Sequence, residues 1–566
     1  MQLKSLAVAL GLAASVFARK HMREVEIEKE LQILNKDHQF QTSKQWDNGT
    51  WDNSDGMAWD LEAQAFTPKV YWLNVSLPID HDDPKVGNFS NRYWVVDEFY
   101  EPGGPIFAFD TGESNGGDAY LGYMTRNTTF FYKYLQEFKG LGIVWEHRYY
   151  GQSKPFEVTL DTPASKMKYL TTKAALKDFV VFADQFNWKE HPVHPKKAPW
   201  VVVGGSYPGM RAAMLRHLYP DTVYAAYASS APVQAQKDMS IYFEQVYRGM
   251  VDNGLRNCTE HIKAAVDYID TRLDNYNTSA AIKLQFLGRT ADKGSNSGFA
   301  DMLTYPFYGW QSGGVDKVIR DWCGYLNEKE PPKKASPEQI GKHYADRWAS
   351  WPGFIGLVNE YNSFGYCEGP VKNETATPNC LVDERFTGDL GISWTWQYCT
   401  EWGYFQSTNL GKHALGSRYQ SLQHQQEICY RQFPDGLWSG LLPPSPKTLE
   451  TNAHTQGWYM RPSNVFWTGG QYDPWRTLSP LTTESFAPPF RTISQTPKCN
   501  QETKWNEVFG FLLKNSQHCY DFRASEQATE ANNMFKYALS QWLECFEPSY
   551  VFFRFFFFFF FWGGGG

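Results

Sequence analysis

Short runs of consecutive apolar residues punctuate the first half of the chain, and each gives way to polar or glycine-rich sequence. Pro105-Ile106-Phe107-Ala108-Phe109, Leu141-Gly142-Ile143-Val144-Trp145 and Trp200-Val201-Val202-Val203 are short and lack polar alternation, the pattern of strands buried on both faces. Thr172 to Phe186 has a different period, with Ala175, Phe179, Phe182 and Ala183 on one helical stripe. Met210 to Leu218 reads as a helix and Val223 to Tyr227 as a fourth strand. Strands and helices in alternation imply a mostly parallel sheet covered on both faces.

After Pro232 the rhythm changes. Residues 235–450 hold many aromatic side chains and most of the cysteines, with no strand–helix alternation. The strand signal returns at Asn464-Val465-Phe466-Trp467. Ser525 then stands where it would cap a last helix, whose apolar residues fall at Ala528, Ala531, Phe535, Ala538 and Trp542. The simplest organisation is an α/β core over 19–234 and 451–548, split by an insertion at 235–450. No internal repeat is visible.

Composition narrows the class. The chain has 566 residues, 42% apolar and 20% charged, which suits a globular protein. A single core rarely grows past roughly 250–300 residues, so the length itself calls for a large insertion or a second unit. A formal charge of −7 points to neither nucleic acid nor an anionic membrane surface as a partner.

Residues 1–18 read as a signal peptide: Lys4, an apolar stretch from Leu6 to Val16, then Val16-Phe17-Ala18. The stretch is shorter than the ~20 residues that cross a bilayer, so no stable membrane anchor is expected and the protein is expected to be secreted, with a vacuole or lysosome as the alternative. Seven glycosylation sequons, at Asn48, Asn74, Asn88, Asn127, Asn257, Asn277 and Asn373, agree with that route. Nine cysteines, none in a Cys-x-x-Cys pair, read as disulfides with at least one thiol left over. The tail, 549–566, carries an unbroken run from Phe555 to Phe561, then Trp562 and four glycines; it reads as a reading-frame error and is set aside.

The sharpest chemical signal is Val201-Val202-Val203-Gly204-Gly205-Ser206-Tyr207-Pro208-Gly209, followed by helical sequence. A serine on a tight strand-to-helix turn is lifted clear of the sheet, and the helix N-terminus favours developing negative charge. The N–H of Tyr207 would then form half of an oxyanion hole. Pro208 stands where the usual motif has its second glycine, which the first turn of a helix tolerates. A nucleophilic serine needs a base and an acid, and α/β-hydrolases carry them in the order Ser, Asp, His. Asp473, in Thr468-Gly469-Gly470-Gln471-Tyr472-Asp473-Pro474-Trp475, follows the returning strand. His518 is the only histidine after His454. An Asp-Pro turn and a loop histidine are each ordinary; the ordered set of three is not.

The chain resembles the family of prolyl carboxypeptidase and dipeptidyl peptidase II, especially its secreted prolyl endopeptidase branch. The resemblance rests on Asp80-His81, Arg92-Tyr93-Trp94, Gly104-Pro105-Ile106-Phe107, Thr111-Gly112-Glu113, Glu146-His147-Arg148-Tyr149-Tyr150-Gly151, Tyr169-Leu170-Thr171, Gly204-Gly205-Ser206-Tyr207, Ser229-Ser230-Ala231-Pro232, Trp394 to Glu401, Asp473-Pro474-Trp475, and His518 with Asp521. It implies an α/β-hydrolase core with a large, mainly helical cap, a Ser206–Asp473–His518 triad, and peptide substrates cut on the carboxyl side of proline. No cofactor and no metal are implied, and a homodimer stays open. Two departures stand out. The family's Thr-Gly-Asn-Glu-Gly-Asp loop reads Thr111-Gly112-Glu113-Ser114-Asn115-Gly116-Gly117-Asp118 here, where a second oxyanion donor near Gly112 is expected, and Cys519 replaces a histidine.

Glu146, His147 and Arg148 are expected to tie a strand end to its neighbours rather than to react. His191 and His194 have no third ligand nearby to make a metal site. Trp396 and Trp475 are candidates for an aromatic proline pocket, with core packing the plainer role for either. The remaining alternatives are an esterase or lipase of the same fold and an inactive hydrolase-fold binding protein.

Overall fold

The computed structural model describes residues 58–60, 65–315, 317–362, 365–370 and 378–548. The expected signal peptide, the 549–566 tail and the sequons at Asn48 and Asn373 lie outside them. The other five sequon asparagines are all exposed.

The core is a sheet of β1 (Tyr71–Pro78), β2 (Asn88–Val96), β3 (Ile106–Asp110), β4 (Leu141–Trp145), β5 (Trp200–Gly205), β6 (Ala225–Ser229), β7 (Val465–Gly470), β8 (Arg491–Ile493) and β9 (Glu507–Leu513). Their order is β1-β2-β4-β3-β5-β6-β7-β9-β8. The pairings β1–β2 and β2–β4 are antiparallel, and every later pairing is parallel. This is the α/β-hydrolase arrangement.

Alternate residues of each apolar run serve opposite layers, because strand side chains point up and down with period two. Ile106, Ala108, Trp200 and Val202 pack with Phe179 and Phe182 of α1 (Thr172–Gln185) and with Met210 and Met214 of α2 (Tyr207–Leu218). Phe107, Phe109, Val201 and Val203 face the other way, against Phe535 and Trp542 of the last helix, Glu526–Leu543. Thr171 caps α1 by accepting from the Ala174 amide, and Ser525 caps the last helix by accepting from Ala528. Each fully buried Val or Phe in these layers contributes roughly 1.5–3 kcal/mol relative to exposure.

Two boundaries differ from expectation. The fourth strand lies two residues later than Val223–Tyr227, because the Val223 amide closes the preceding turn on the Tyr219 carbonyl and is unavailable to a ladder. The second helix begins at Tyr207 rather than Met210, since Pro208 fits its first turn.

Between β6 and β7 the chain is mainly helical from Ile241 to Thr455, so the boundary expected near 450 falls inside the helix Thr448–Thr455. Disulfides Cys258–Cys323, Cys367–Cys380 and Cys399–Cys429 staple this segment, and Cys499–Cys545 ties the end of the core. Cys519 is the buried free thiol.

Candidate active site

Ser206 sits between β5 and α2 with φ +64° and ψ −127°, a conformation that an L-residue holds only when its surroundings fix it. Its amide donates to the Ser229 carbonyl at 2.8 Å, and its carbonyl accepts from Met210 at 3.0 Å. Gly205 is required by crowding: a Cβ there would lie 2.7 Å from the Phe522 ring and 2.8 Å from the Cys519 sulfur. The residue before the serine therefore touches the residue after His518. Tyr207 is the first residue of α2, and its amide is one of the helix-start donors that have no partner within the helix.

Asp473 follows β7 and starts a short 3₁₀ turn, accepting from the Trp475 amide at 2.9 Å. His518 Nδ1 lies 3.0 and 2.9 Å from its two carboxylate oxygens. A carboxylate only accepts, so Nδ1 carries the proton and Nε2 is the basic nitrogen. Among the described residues Nε2 is buried without a hydrogen-bond partner. Burial disfavours the imidazolium and is the largest single influence, but the charge and hydrogen bond of Asp473 and the neighbouring Cys519 together outweigh it and hold His518 well above the ordinary histidine range.

Adjacent residues anchor both halves of this constellation. Ser229 receives the Ser206 amide, while the Ser230 hydroxyl accepts from the Cys519 amide at 2.9 Å. Beneath them, buried Asp521 accepts from the hydroxyls of Ser229, Thr468 and Tyr227 at 2.6, 2.7 and 2.9 Å, joining two strand ends to the histidine loop. Asp521 is one of the residues that carry the family resemblance, and the sequence alone gives it no role. The hydroxyl-bearing residues at the ends of two predicted strands were the available signal.

Gly112 is the second expected oxyanion donor. Its loop abuts the elbow, since a Cβ there would fall 2.3 Å from the Pro208 ring. Its amide, however, donates to Asp110 Oδ1 at 2.9 Å, and Asp110 is held by Arg211 at 2.7 Å. This N–H is therefore already bonded to a carboxylate of its own loop.

Glu146 pairs with Arg92 at 2.6 Å and accepts from Ser153 and the Gly116 amide. Arg148 forks onto Asp178 at 2.5 and 2.6 Å. The first ties the end of β4 to β2, and the second ties it to α1, with Arg148 also donating to the Pro78 carbonyl at the end of β1. His147 points instead to the Tyr207 hydroxyl, 3.0 Å away.

A cavity of about 190 Å³ opens on Ser206 and Tyr207 and is walled by Pro232, Trp394, Tyr404 and Trp475, with Glu113 and Asp301 among its polar lining. Trp475 is fixed by donating its indole N–H to Gln311 at 2.7 Å. Trp396 is absent from this wall and packs on Phe433, ring centroids 5.0 Å apart. Helical phase separates the two tryptophans of this segment: Trp394 faces the cavity and Trp396 the packing behind it.

Residues 78–534 match the model of the family described as Serine carboxypeptidase S28. Among curated relatives, the "Probable extracellular serine carboxypeptidase" of Arthroderma benhamiae is 30% identical over 63% of this chain, and the chain spans only 53% of that relative. "Serine protease vicPb" of Bipolaris victoriae is 26% identical over 82% of the chain and 87% of the relative. The "Lysosomal Pro-X carboxypeptidase" of Bos taurus is 26% identical over 68% and 73%. The family match begins in β1, ends within the last helix, and so takes in the elbow, the helical segment and the Asp473–His518 pair alike; this chain belongs to the serine carboxypeptidase S28 family.

Proposed function

We propose that this protein is a secreted serine peptidase that cleaves peptides on the carboxyl side of proline, with Ser206 as nucleophile, His518 as general base and acid, and Asp473 orienting it. The observation that carries the reading is the Asp473–His518 pair, which leaves a basic Nε2 at the same strand ends that hold Ser206. In the acylation step Nε2 takes the Ser206 proton as Oγ bonds to the carbonyl carbon of the proline residue. The Tyr207 amide receives the oxyanion. The C–N bond then breaks and His518 passes the proton to the leaving amine. Water repeats the sequence and frees Ser206.

Preference for proline is supported by the aromatic wall of Trp394, Tyr404 and Trp475, which suits a rigid apolar ring. The printed name of the bovine relative, a Pro-X carboxypeptidase, supports the same choice. The helical segment acts as a cap, contributing Trp394 and Tyr404 to that wall. For export, the support is the four disulfides, five exposed sequons and an extracellular relative. The lysosomal relative supports the alternative of an acidic compartment.

Substituting Ser206→Ala tests the reading. Turnover of a Pro-Xaa peptide, followed by mass spectrometry, is expected to fall roughly 10⁴–10⁶-fold. Retained cleavage after proline in that variant would remove Ser206 from the mechanism.

A further inference from the structure

The Glu146-His147-Arg148-Tyr149-Tyr150 segment carries a buried chain of polar groups that the mechanism above does not use. His147 Nδ1 lies 2.6 Å from the Arg148 carbonyl, which only accepts, so Nδ1 bears the proton. Burial, reinforced by the Arg211 charge, pushes His147 well below the ordinary histidine range and keeps it neutral. Its Nε2 must then accept, and the Tyr207 hydroxyl 3.0 Å away must donate. Having spent its proton there, Tyr207 Oη accepts from Gln397 Nε2 at 2.7 Å. Gln397 Oε1 in turn accepts from the Tyr150 hydroxyl. One donor–acceptor direction satisfies every member.

Gln397 ends the cap helix Asp389–Gln397. Asp389, Ser393 and Gln397 recur every four residues and share one face. Asp389 pairs with Lys154 at 2.6 Å, and Ser393 donates to the Tyr149 carbonyl at 3.0 Å. Trp394 of the same helix lines the cavity and meets the Tyr207 ring edge-on at 5.5 Å. The helix that walls the substrate cavity is thus hydrogen-bonded to the side chain of the residue whose amide faces the developing oxyanion.

We infer that Gln397 is a positioning residue: through Tyr207 it holds the oxyanion-binding amide in register, so the cap helps to assemble the catalytic geometry as well as to bind substrate. This rests on the role proposed for Ser206 and Tyr207. The charged and titratable groups around the chain are Arg211 and Arg148 beside His147, Glu401, Asp110 and Arg211 beside Tyr207, and Glu113, Arg211 and Asp389 beside Tyr150. The two arginines oppose the reversed arrangement, in which His147 would be charged and donate.

The test compares Gln397→Glu and Gln397→Leu with the unsubstituted protein by the rate at which a fluorophosphonate labels Ser206 and by kcat and KM on a Pro-Xaa peptide, at several pH values. Folding is checked by near-UV circular dichroism. Labelling is read separately because it needs the oxyanion site but no proline preference. Gln397→Leu is expected to lower labelling rate and kcat about 3- to 10-fold at every pH, as for loss of a buried hydrogen bond, with KM changed less. Gln397→Glu should match it at alkaline pH, where even a buried carboxyl is ionised. There its carboxylate cannot donate to Tyr207. As pH falls and the carboxyl regains a proton, its ratio to the unsubstituted rate should recover. Equal deficits for the two variants at all pH values, no deficit in either, or misfolding of Gln397→Glu at acidic pH would overturn the inference. If labelling behaves as expected while no peptide is cleaved after proline, the positioning role stands and the substrate reading falls. If the unsubstituted protein is not labelled at Ser206, both fall.

Discussion

Nδ1 of His518 lies 2.9 Å from Oδ2 of Asp473, although 45 residues of chain separate them. This contact fixes the tautomer of the neutral ring, because the Asp473 carboxylate accepts the proton on Nδ1 and so leaves Nε2 as the nitrogen that gains or loses one. Substituting Asp473→Asn places an amide there, which can donate to Nδ1 and move the proton to Nε2, where it blocks the base. A fall in kcat of roughly 10³–10⁴ is expected with little change in KM, measured by steady-state hydrolysis of a Pro-Xaa peptide.

The aromatic wall predicts where proline preference resides. Trp475 lines the cavity, and its ring meets that of Tyr404 at 5.2 Å. Trp475→Ala should lower kcat/KM for a Pro-Xaa peptide by about 10- to 100-fold, in keeping with loss of a large apolar contact, and lower it less for the matching Ala-Xaa peptide. Paired assays of the two peptides check this.

Asp521 predicts a stability effect coupled to activity. Replacing it with Ala leaves three buried hydroxyls without their acceptor. A loss of about 2–4 kcal/mol is expected, read as a lower denaturant midpoint. Activity should fall as well, since the same carboxylate ties the His518 loop to the strand ends.

Glu401 predicts how stability varies with pH. It accepts from both the amide and the hydroxyl of Thr172, at 2.9 and 2.7 Å, joining the cap segment to the start of α1. Burial raises its pKa from 4.5 to about 7, against the lowering effect of the Thr172 bonds. The folded state therefore binds a proton more tightly than the unfolded chain. This group's contribution is greatest below pH 4.5 and declines as pH rises to about 7. Glu401→Gln should flatten that dependence by an amount of order 2 kcal/mol, measured by urea unfolding at pH 5 and pH 8.

Much of the core was legible because its signals are local. The apolar runs at 106–109, 141–145 and 200–203 form buried strands, and the Ala175/Phe179/Phe182/Ala183 stripe faces the core. Ser525 caps the helix anticipated for it. Where a strand boundary differed, a neighbouring bond took precedence: the Val223 amide went to a turn. The roles of Trp396 and Trp475 were not separable from sequence, because either ring suits a core or a cavity until the helix carrying it is placed. The polar row Asp389, Ser393, Gln397 had a readable spacing, but its partners Lys154, Tyr149 and Tyr207 lie far upstream.

By itself, the amino-acid sequence determined the alternation of strands and helices, the elbow around Ser206 and the chain order of serine, aspartate and histidine. Each of these depends on residues within a few positions of one another, or on order alone. Tertiary structure decided which carboxylate meets His518, which aromatic rings line the cavity, and which cap side chain grips Tyr207. Those outcomes turn on packing and desolvated hydrogen bonds between groups dozens to hundreds of residues apart, and only the folded chain settles which donor reaches which acceptor.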